Sequence, residues 1–286
     1  MLVRRALAVG TLSLLLLSAG LFGFAEAQNI VAHRGASYEA PENTLAAFNL
    51  AFEEGADGVE GDFYLSSDGE IVCIHDGDTQ RTAGVKHVIR ETPLKVLRTL
   101  DVGSWKNEKY RGEQIPTFAE VAETIPAGKK FIIELKTGPE IVAPLKAALA
   151  KTDLEDDQIL IICFNEKTVA ECKRLLPDLK CHWLTGYKKD EKTGKLKPGL
   201  DEVMATLERS HADGFGSQHE MKHFDADFIK ALCDAGHCEF HVWTVDDPKV
   251  AKFYRKLKPW GITTNRPGFI RSKLEAAESV PAAAGN

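Results

Sequence analysis

No stripe of basic residues runs through this sequence: 36 lysines and arginines are scattered among 42 acidic residues, for a formal net charge of -6. That distribution offers no electrostatic footprint for a nucleic acid and restricts any phosphate contact to a local one. No C-x-x-C spacing occurs among the six cysteines, Cys73, Cys163, Cys172, Cys181, Cys233 and Cys238, which removes the usual zinc-ribbon pattern. Their even number is compatible with disulfides outside the cytoplasm, but a chain of 286 residues can build a core without them. Cys73 and Cys163 fall in strand-like runs that suit buried free thiols. Cys233 and Cys238 either pair locally or not at all. No G-x-G-x-x-G opens a first helix, so the common dinucleotide site is missing. Internal repeats and low-complexity blocks are absent too.

Long apolar runs are missing except for one. Arg4 and Arg5 precede an apolar stretch from Ala6 to about Phe24 that ends in Ala25-Glu26-Ala27, the layout of a secretory signal over residues 1–27 with an A-x-A cleavage site. The competing reading is an uncleaved anchor, because about 20 apolar residues cross a hydrocarbon core. Cleavage implies a periplasmic or secreted protein with no stable membrane insertion.

Past residue 27, short β-branched runs alternate with amphipathic stretches, the pattern of βα units around a parallel sheet. The runs are Asn29 to His33, Gly58 to Leu65, Lys130 to Lys136, Gln158 to Phe164, Lys180 to Thr185, Gly214 to Gln218, Glu239 to Trp243 and Gly261 to Thr264. Helical patterns between them include Glu42 to Glu54 and Asp225 to Ala235. Eight such units over about 250 residues predict an α/β fold of the TIM (β/α)₈ barrel type over residues 28–274, with a doubly wound open sheet as the alternative. The interval Ile71 to Glu113 is too long for a βα loop and predicts a small inserted subdomain after the second strand, with a helix-like Pro93 to Leu100. Residues 275–286 read as a flexible tail.

Chemistry concentrates at the ends of these strands. His33-Arg34-Gly35 closes the first: Arg34 offers a planar fork for phosphate, Gly35 allows a sharp turn, and His33 exchanges protons near neutral pH. Pro41-Glu42-Asn43-Thr44 reads as a helix start, with Glu42 and Asn43 within reach of a barrel mouth. Glu60-Gly61-Asp62 places two carboxylates on one face of a strand, and Glu134-Leu135-Lys136 repeats the spacing with a carboxylate and a lysine. Three converging oxygen donors suit one hard divalent cation, Ca²⁺ or Mg²⁺. The alternative is a salt-bridged strand end in which Lys136 neutralises Glu60 or Asp62. His75-Asp76 ends the inserted strand-like run and supplies a second histidine, so that one can act as base and the other as acid. His219 and His223 show an H-x₃-H spacing but lie in loop-like sequence without a third ligand. Trp243 ends the seventh run, as core packing or as an apolar wall for a substrate.

In order, His33-Arg34-Gly35, Pro41-Glu42-Asn43-Thr44, Glu60-x-Asp62, His75-Asp76, Glu134-x-Lys136, Val242-Trp243-Thr244 and Thr263-Thr264-Asn265-Arg266-Pro267 resemble the bacterial, exported glycerophosphodiester phosphodiesterase family. The resemblance covers Asn29 to Leu274 and includes the family's inserted segment. It implies metal ligands at Glu60, Asp62 and Glu134, catalytic histidines at His33 and His75, and phosphate contacts from Arg34 and Lys136. It further implies support from Glu42, Trp243 against the glycerol end, and hydrolysis of small-molecule glycerophosphodiesters to glycerol 3-phosphate and an alcohol. The sequence departs at Asn265, where many relatives carry aspartate, and Ser217 to His223 does not align with the family pattern. Two other readings stand beside it: a barrel enzyme for another phosphodiester, such as a lysophospholipid head group, and a noncatalytic extracytoplasmic binding protein.

Overall fold

The computed structural model describes residues 28–278, so the signal expected over residues 1–27 lies outside the described residues. Eight parallel strands form the centre: β1 (Asn29–His33), β2 (Gly58–Leu65), β3 (Lys130–Leu135), β4 (Ile159–Cys163), β5 (Lys180–Thr185), β6 (Gly214–Gln218), β7 (Phe240–Trp243) and β8 (Gly261–Thr264). The last pairs with the first, from Asn29 opposite Gly261 to Ala32 opposite Thr264, and β1 also pairs with β2. That closure makes a barrel and rules out the open doubly wound sheet.

All eight runs anticipated from the sequence become strands, with four ends trimmed, Phe164 falling just beyond β4. Lys136 falls just beyond β3. Gln158 belongs to a 3₁₀ turn, its amide donating to Pro126 O and Lys129 O. Glu239 stops short of β7 and uses its carboxylate on Lys180 and His182.

One helix follows each strand: α1 (Leu45–Glu53), α2 (Phe118–Glu123), α3 (Val142–Leu149), α4 (Glu166–Leu175), α5 (Leu200–Ser210), α6 (Ala226–Asp234), α7 (Pro248–Arg255) and α8 (Pro267–Glu278). The sequence pattern placed the start of α1 at Glu42, three residues too early. Thr44 is the N-cap, accepting from Ala47 N, while Asn43 takes a left-handed φ of +56° that no helix continues through. Asp225 caps α6 in the same way. The tail expected from residue 275 begins as the last turn of α8.

Alternation along the strands divides the apolar residues into two layers. Phe131, Ile133 and Leu135 of β3 face outward with Phe63 and Phe215, in one apolar layer with Phe48 of α1. Ile132 faces inward with Val31, Leu160, Ile162 and Leu184, filling the barrel. Lower in the interior two imidazoles share the space: His182 Nδ1 and His241 Nδ1 lie 3.0 Å apart with the rings stacked. They fit because β6 between them carries glycine. A Cβ on Gly216 would come within 2.4 Å of the His241 ring and 2.3 Å of Leu184.

Residues 66–117, between β2 and α2, stand at the C-terminal end of the barrel. A short strand, Ile71–Cys73, runs antiparallel to the end of β2. Val72, Ile74, Ile89, Leu97, Val102 and Ile115 bury a second small apolar cluster there. The helix expected over Pro93 to Leu100 is the single turn Leu94–Leu97. Lys106 Nζ reaches back to Ser37 O and Tyr110 Oη to Glu39 O, tying the segment to the loop after β1. Cys233 and Cys238 form a disulfide across the turn from α6 to β7, while Cys73, Cys163, Cys172 and Cys181 are buried free thiols. Among the described residues no helix is long and apolar enough to cross a membrane.

Candidate active site

Strand alternation and register bring the acidic residues together. Glu60 and Asp62 point the same way from β2, Asp62 lies opposite Glu134 on β3, and His33 at the end of β1 lies opposite Glu60. Glu60, Asp62 and Glu134 are 2%, 1% and 8% exposed, and each offers an oxygen within 4.8 Å of the others.

Each carboxylate is held from behind. Glu60 Oε2 accepts the backbone N–H of Arg34 at 2.9 Å, made available by the left-handed φ of +58° at Arg34. The turn continues through Gly35 at φ +79°, where a Cβ would lie 2.5 Å from the Ala47 carbonyl carbon, so only glycine fits. Asn43 clamps Asp62 twice, donating to Oδ2 at 2.8 Å and accepting from its N–H at 3.2 Å. Lys136 Nζ donates to Glu134 Oε1 at 2.6 Å and sits 3.2 Å from Asp62 Oδ1. Lys136 thus bridges two of the carboxylates, Asp62 and Glu134, as the salt-bridged alternative expects of Asp62, and the triad still groups oxygens that could hold a metal ion. Glu60 Oε1 is buried without a hydrogen-bond partner, and Asp62 Oδ1, also without a hydrogen bond, has only the nearby Lys136 ammonium; a hard cation would supply the partner that Glu60 Oε1 lacks.

The charge balance is uneven. Burial and the repulsion of Asp62 and Glu134 raise Glu60 well above the usual carboxylate range. Burial and Asp62 raise Glu134 to about 7, against the pull of Lys136. For Asp62, burial is outweighed by Lys136 and Arg34, which bring it down to about 2. As a set, three clustered carboxylates with two cations beside them hold a proton that a divalent ion would displace.

Part of the His33 ring is open to the mouth, yet the depth of its surroundings and the adjacent Arg34 cation lower it to about 4, so it is neutral at physiological pH. Its Nδ1 lies 2.7 Å from Asn265 Oδ1. His75 Nδ1 lies 2.7 Å from Asp76 Oδ1 at the end of the inserted strand. Ile74, just before it, donates its N–H to Asp62 O, which brings the insertion against the carboxylates. A chain of ion pairs joins the two histidine segments: Asp76 to Arg81, Arg81 to Glu42 and Glu42 to Arg34. Glu42 is thus occupied by two arginines. Trp243 is half-buried at the end of β7, edge to face with the exposed Phe164 at 5.6 Å.

Arg81, Phe164 and Asp246 carry no sequence signal of their own, because each works through a partner distant along the chain. Among the described residues His219 and His223 join no metal-type cluster, and His219 donates its backbone N–H to Trp243 O. His223 Nε2 lies 3.1 Å from Pro198 O and its ring packs on Tyr187 and Phe228.

Residues 33–269 match the model of the glycerophosphoryl diester phosphodiesterase family. The chain belongs to this family. Within it, the chain is 38% identical over 156 residues to a glycerophosphodiester phosphodiesterase of Caldanaerobacter subterraneus subsp. tengcongensis, a match covering 53% of this chain but 64% of that relative. It is 28% identical over 256 residues to the glycerophosphodiester phosphodiesterase of Bacillus subtilis, with 83% of each protein covered. A phosphodiesterase of Oleispira antarctica, solved with the product sn-glycerol-3-phosphate, superposes with a TM-score of 0.76 at 28% identity over 86% of this chain and 96% of that one. A family structure from Agrobacterium tumefaciens gives 0.68 at 26% identity over 86% and 99%.

Proposed function

We propose that this protein hydrolyses glycerophosphodiesters to glycerol 3-phosphate and an alcohol, using one divalent cation, Ca²⁺ or Mg²⁺, and two histidines. The observation that carries the reading is the buried Glu60, Asp62 and Glu134 triad, with Glu60 Oε1 left unpartnered, set beside a neutral His33. Glu60, Asp62 and Glu134 would hold the cation, which when bound offsets the charge that grows on the phosphoryl oxygens. Arg34 and Lys136, already aimed at the same carboxylates, are placed to take the remaining phosphate oxygens. Glu42 and Arg81 hold Arg34 and Asp76 in place. Trp243 with Phe164 gives the glycerol end an apolar wall.

In the reading we favour, the glycerol 2-hydroxyl attacks phosphorus and His33 takes its proton, since a neutral imidazole can accept one at pH 7. The bond to the head-group oxygen breaks and His75 protonates that oxygen. Water then opens the cyclic phosphate. Phosphorus NMR that detects no cyclic phosphate during turnover would favour direct attack by water instead.

The decisive assay strips the protein with chelator and measures glycerol 3-phosphate release from glycerophosphocholine as Ca²⁺ or Mg²⁺ is restored. Release that returns with one or both ions is expected; none with any ion across several head groups would refute the reading. Lysophospholipid substrates in the same assay separate the other phosphodiester reading. We infer export as well, from the Ala25-Glu26-Ala27 motif: the mature protein should begin at Gln28, and a mature chain starting at Met1 would contradict this.

A further inference from the structure

The loop after β7 sends Asp246 across to the end of β8, where its carboxylate is fully engaged. Asp246 Oδ1 accepts from Thr264 Oγ1 and from the backbone N–H of Asn265, both at 2.8 Å, and Asp246 Oδ2 accepts from Asn265 Nδ2 at 2.6 Å. On its other side the Asn265 amide meets His33 Nδ1 at 2.7 Å through Oδ1. Ser37 Oγ lies 2.9 Å from the same Oδ1 and 2.7 Å from His33 O; its single proton can go to His33 O, so the contact with Asp246 alone decides which way the amide turns.

These contacts fix an assignment that an amide side chain normally leaves ambiguous. A carboxylate only accepts, so the amide atom facing Asp246 is the NH₂ group, and the one facing His33 is the carbonyl oxygen. That oxygen only accepts in its turn. His33 Nδ1 therefore carries the proton, and in a neutral ring Nε2 is left with the lone pair.

We propose that Asp246 is a positioning residue that acts through Asn265, locking the amide and so holding His33 in the tautomer whose Nε2 can accept a proton. With the amide reversed, its NH₂ group would face Nδ1, the ring proton would move to Nε2, and Nε2 would donate instead of accept. A hydrogen bond to a charged acceptor biases such an equilibrium by about 10- to 100-fold.

The inference rests on His33 being the proton acceptor, so its test separates the two ideas. Long-range ¹H–¹⁵N NMR of the full chain with labelled histidine, at neutral pH, reads the His33 tautomer without reference to activity. The wild-type ring should be Nδ1–H. Asp246→Ala should populate the Nε2–H form and lower kcat about tenfold or more with KM within about threefold, as loss of an orienting charged hydrogen bond predicts. Adding Asn265→Asp to that variant should restore both readouts, because a carboxylate presents an acceptor oxygen whichever way it turns. If Asp246→Ala does not fold, Asp246→Asn keeps the shape while removing the obligate acceptor, and should show the minor tautomer in part. An Nε2–H ring in the wild type, or a tautomer unchanged in the folded variants, overturns the proposal. A tautomer that shifts without a rate change upholds the positioning and removes the base role from His33.

Discussion

Two carboxylates two residues apart on a strand need a cation between them, and Asp62 already has two beside it, the Arg34 guanidinium and the Lys136 ammonium, while Glu60 has only the backbone N–H of Arg34. What those groups leave uncovered is Glu60 Oε1, and a further ion bound there would share Asp62 Oδ1 with Lys136. The histidines divide by environment: His33 against an amide and near Arg34, His75 against the carboxylate of Asp76. Replacing either with alanine should lower turnover by about 10²- to 10⁴-fold, the range of a lost acid or base; near-normal steady-state rates in either variant would remove it from the reaction. Sequence made the ligands legible because strand period alone puts Glu60 with Asp62. It could not show that Asn43 leaves the helix to clamp Asp62, or that Arg81 bridges Glu42 and Asp76, since those geometries depend on a left-handed turn and on contacts between segments 39 residues apart.

Among the elements, β6 is the least ordinary. Gly214 and Gly216 leave the space that the imidazoles of His182 and His241 occupy, with Glu239 holding His182 Nε2 at 3.0 Å. Gly216→Ala should cost about 1–3 kcal/mol, the usual penalty for overpacking a rigid core, read as a lower midpoint in chemical denaturation with an unchanged slope. A midpoint equal to wild type would mean the rings can shift aside. The strands were readable from β-branched runs because both faces of a barrel strand are buried and favour such residues. The insertion was readable as an interruption but not in detail. Its helices are single turns such as Leu94–Leu97, too short for an apolar period to register.

For the whole molecule, the cation proposed for the carboxylate triad would link metal binding to folding. Glu134 moves from the ordinary 4.5 to about 7 in the folded chain. A carboxylate with a raised pKa contributes stability that is present below its unfolded value and is lost as pH rises through the folded one, so the metal-free protein should weaken between about pH 4.5 and 7 on this account. His33, lowered from 6.5 to about 4, acts in the opposite sense: its contribution is lost as pH falls through that window. The gain in Tm on adding Ca²⁺ or Mg²⁺ isolates the carboxylates, because the ion competes with their proton. That gain should be small near about pH 5 and grow toward about pH 8 as the competing proton leaves; an increment that does not vary with pH would detach the triad from the ion.

The direction of the strands sets one more property. β1 enters the barrel at the face opposite the carboxylates, and α8 runs back to that same face, where Gln28 and Glu275 border one broad basin. Both ends of the described chain leave by this rear face. Attaching the protein to a bead or to another domain at residue 28 or at residue 278 should therefore leave the mouth that holds the proposed site turned toward bulk solution, with substrate arriving unobstructed.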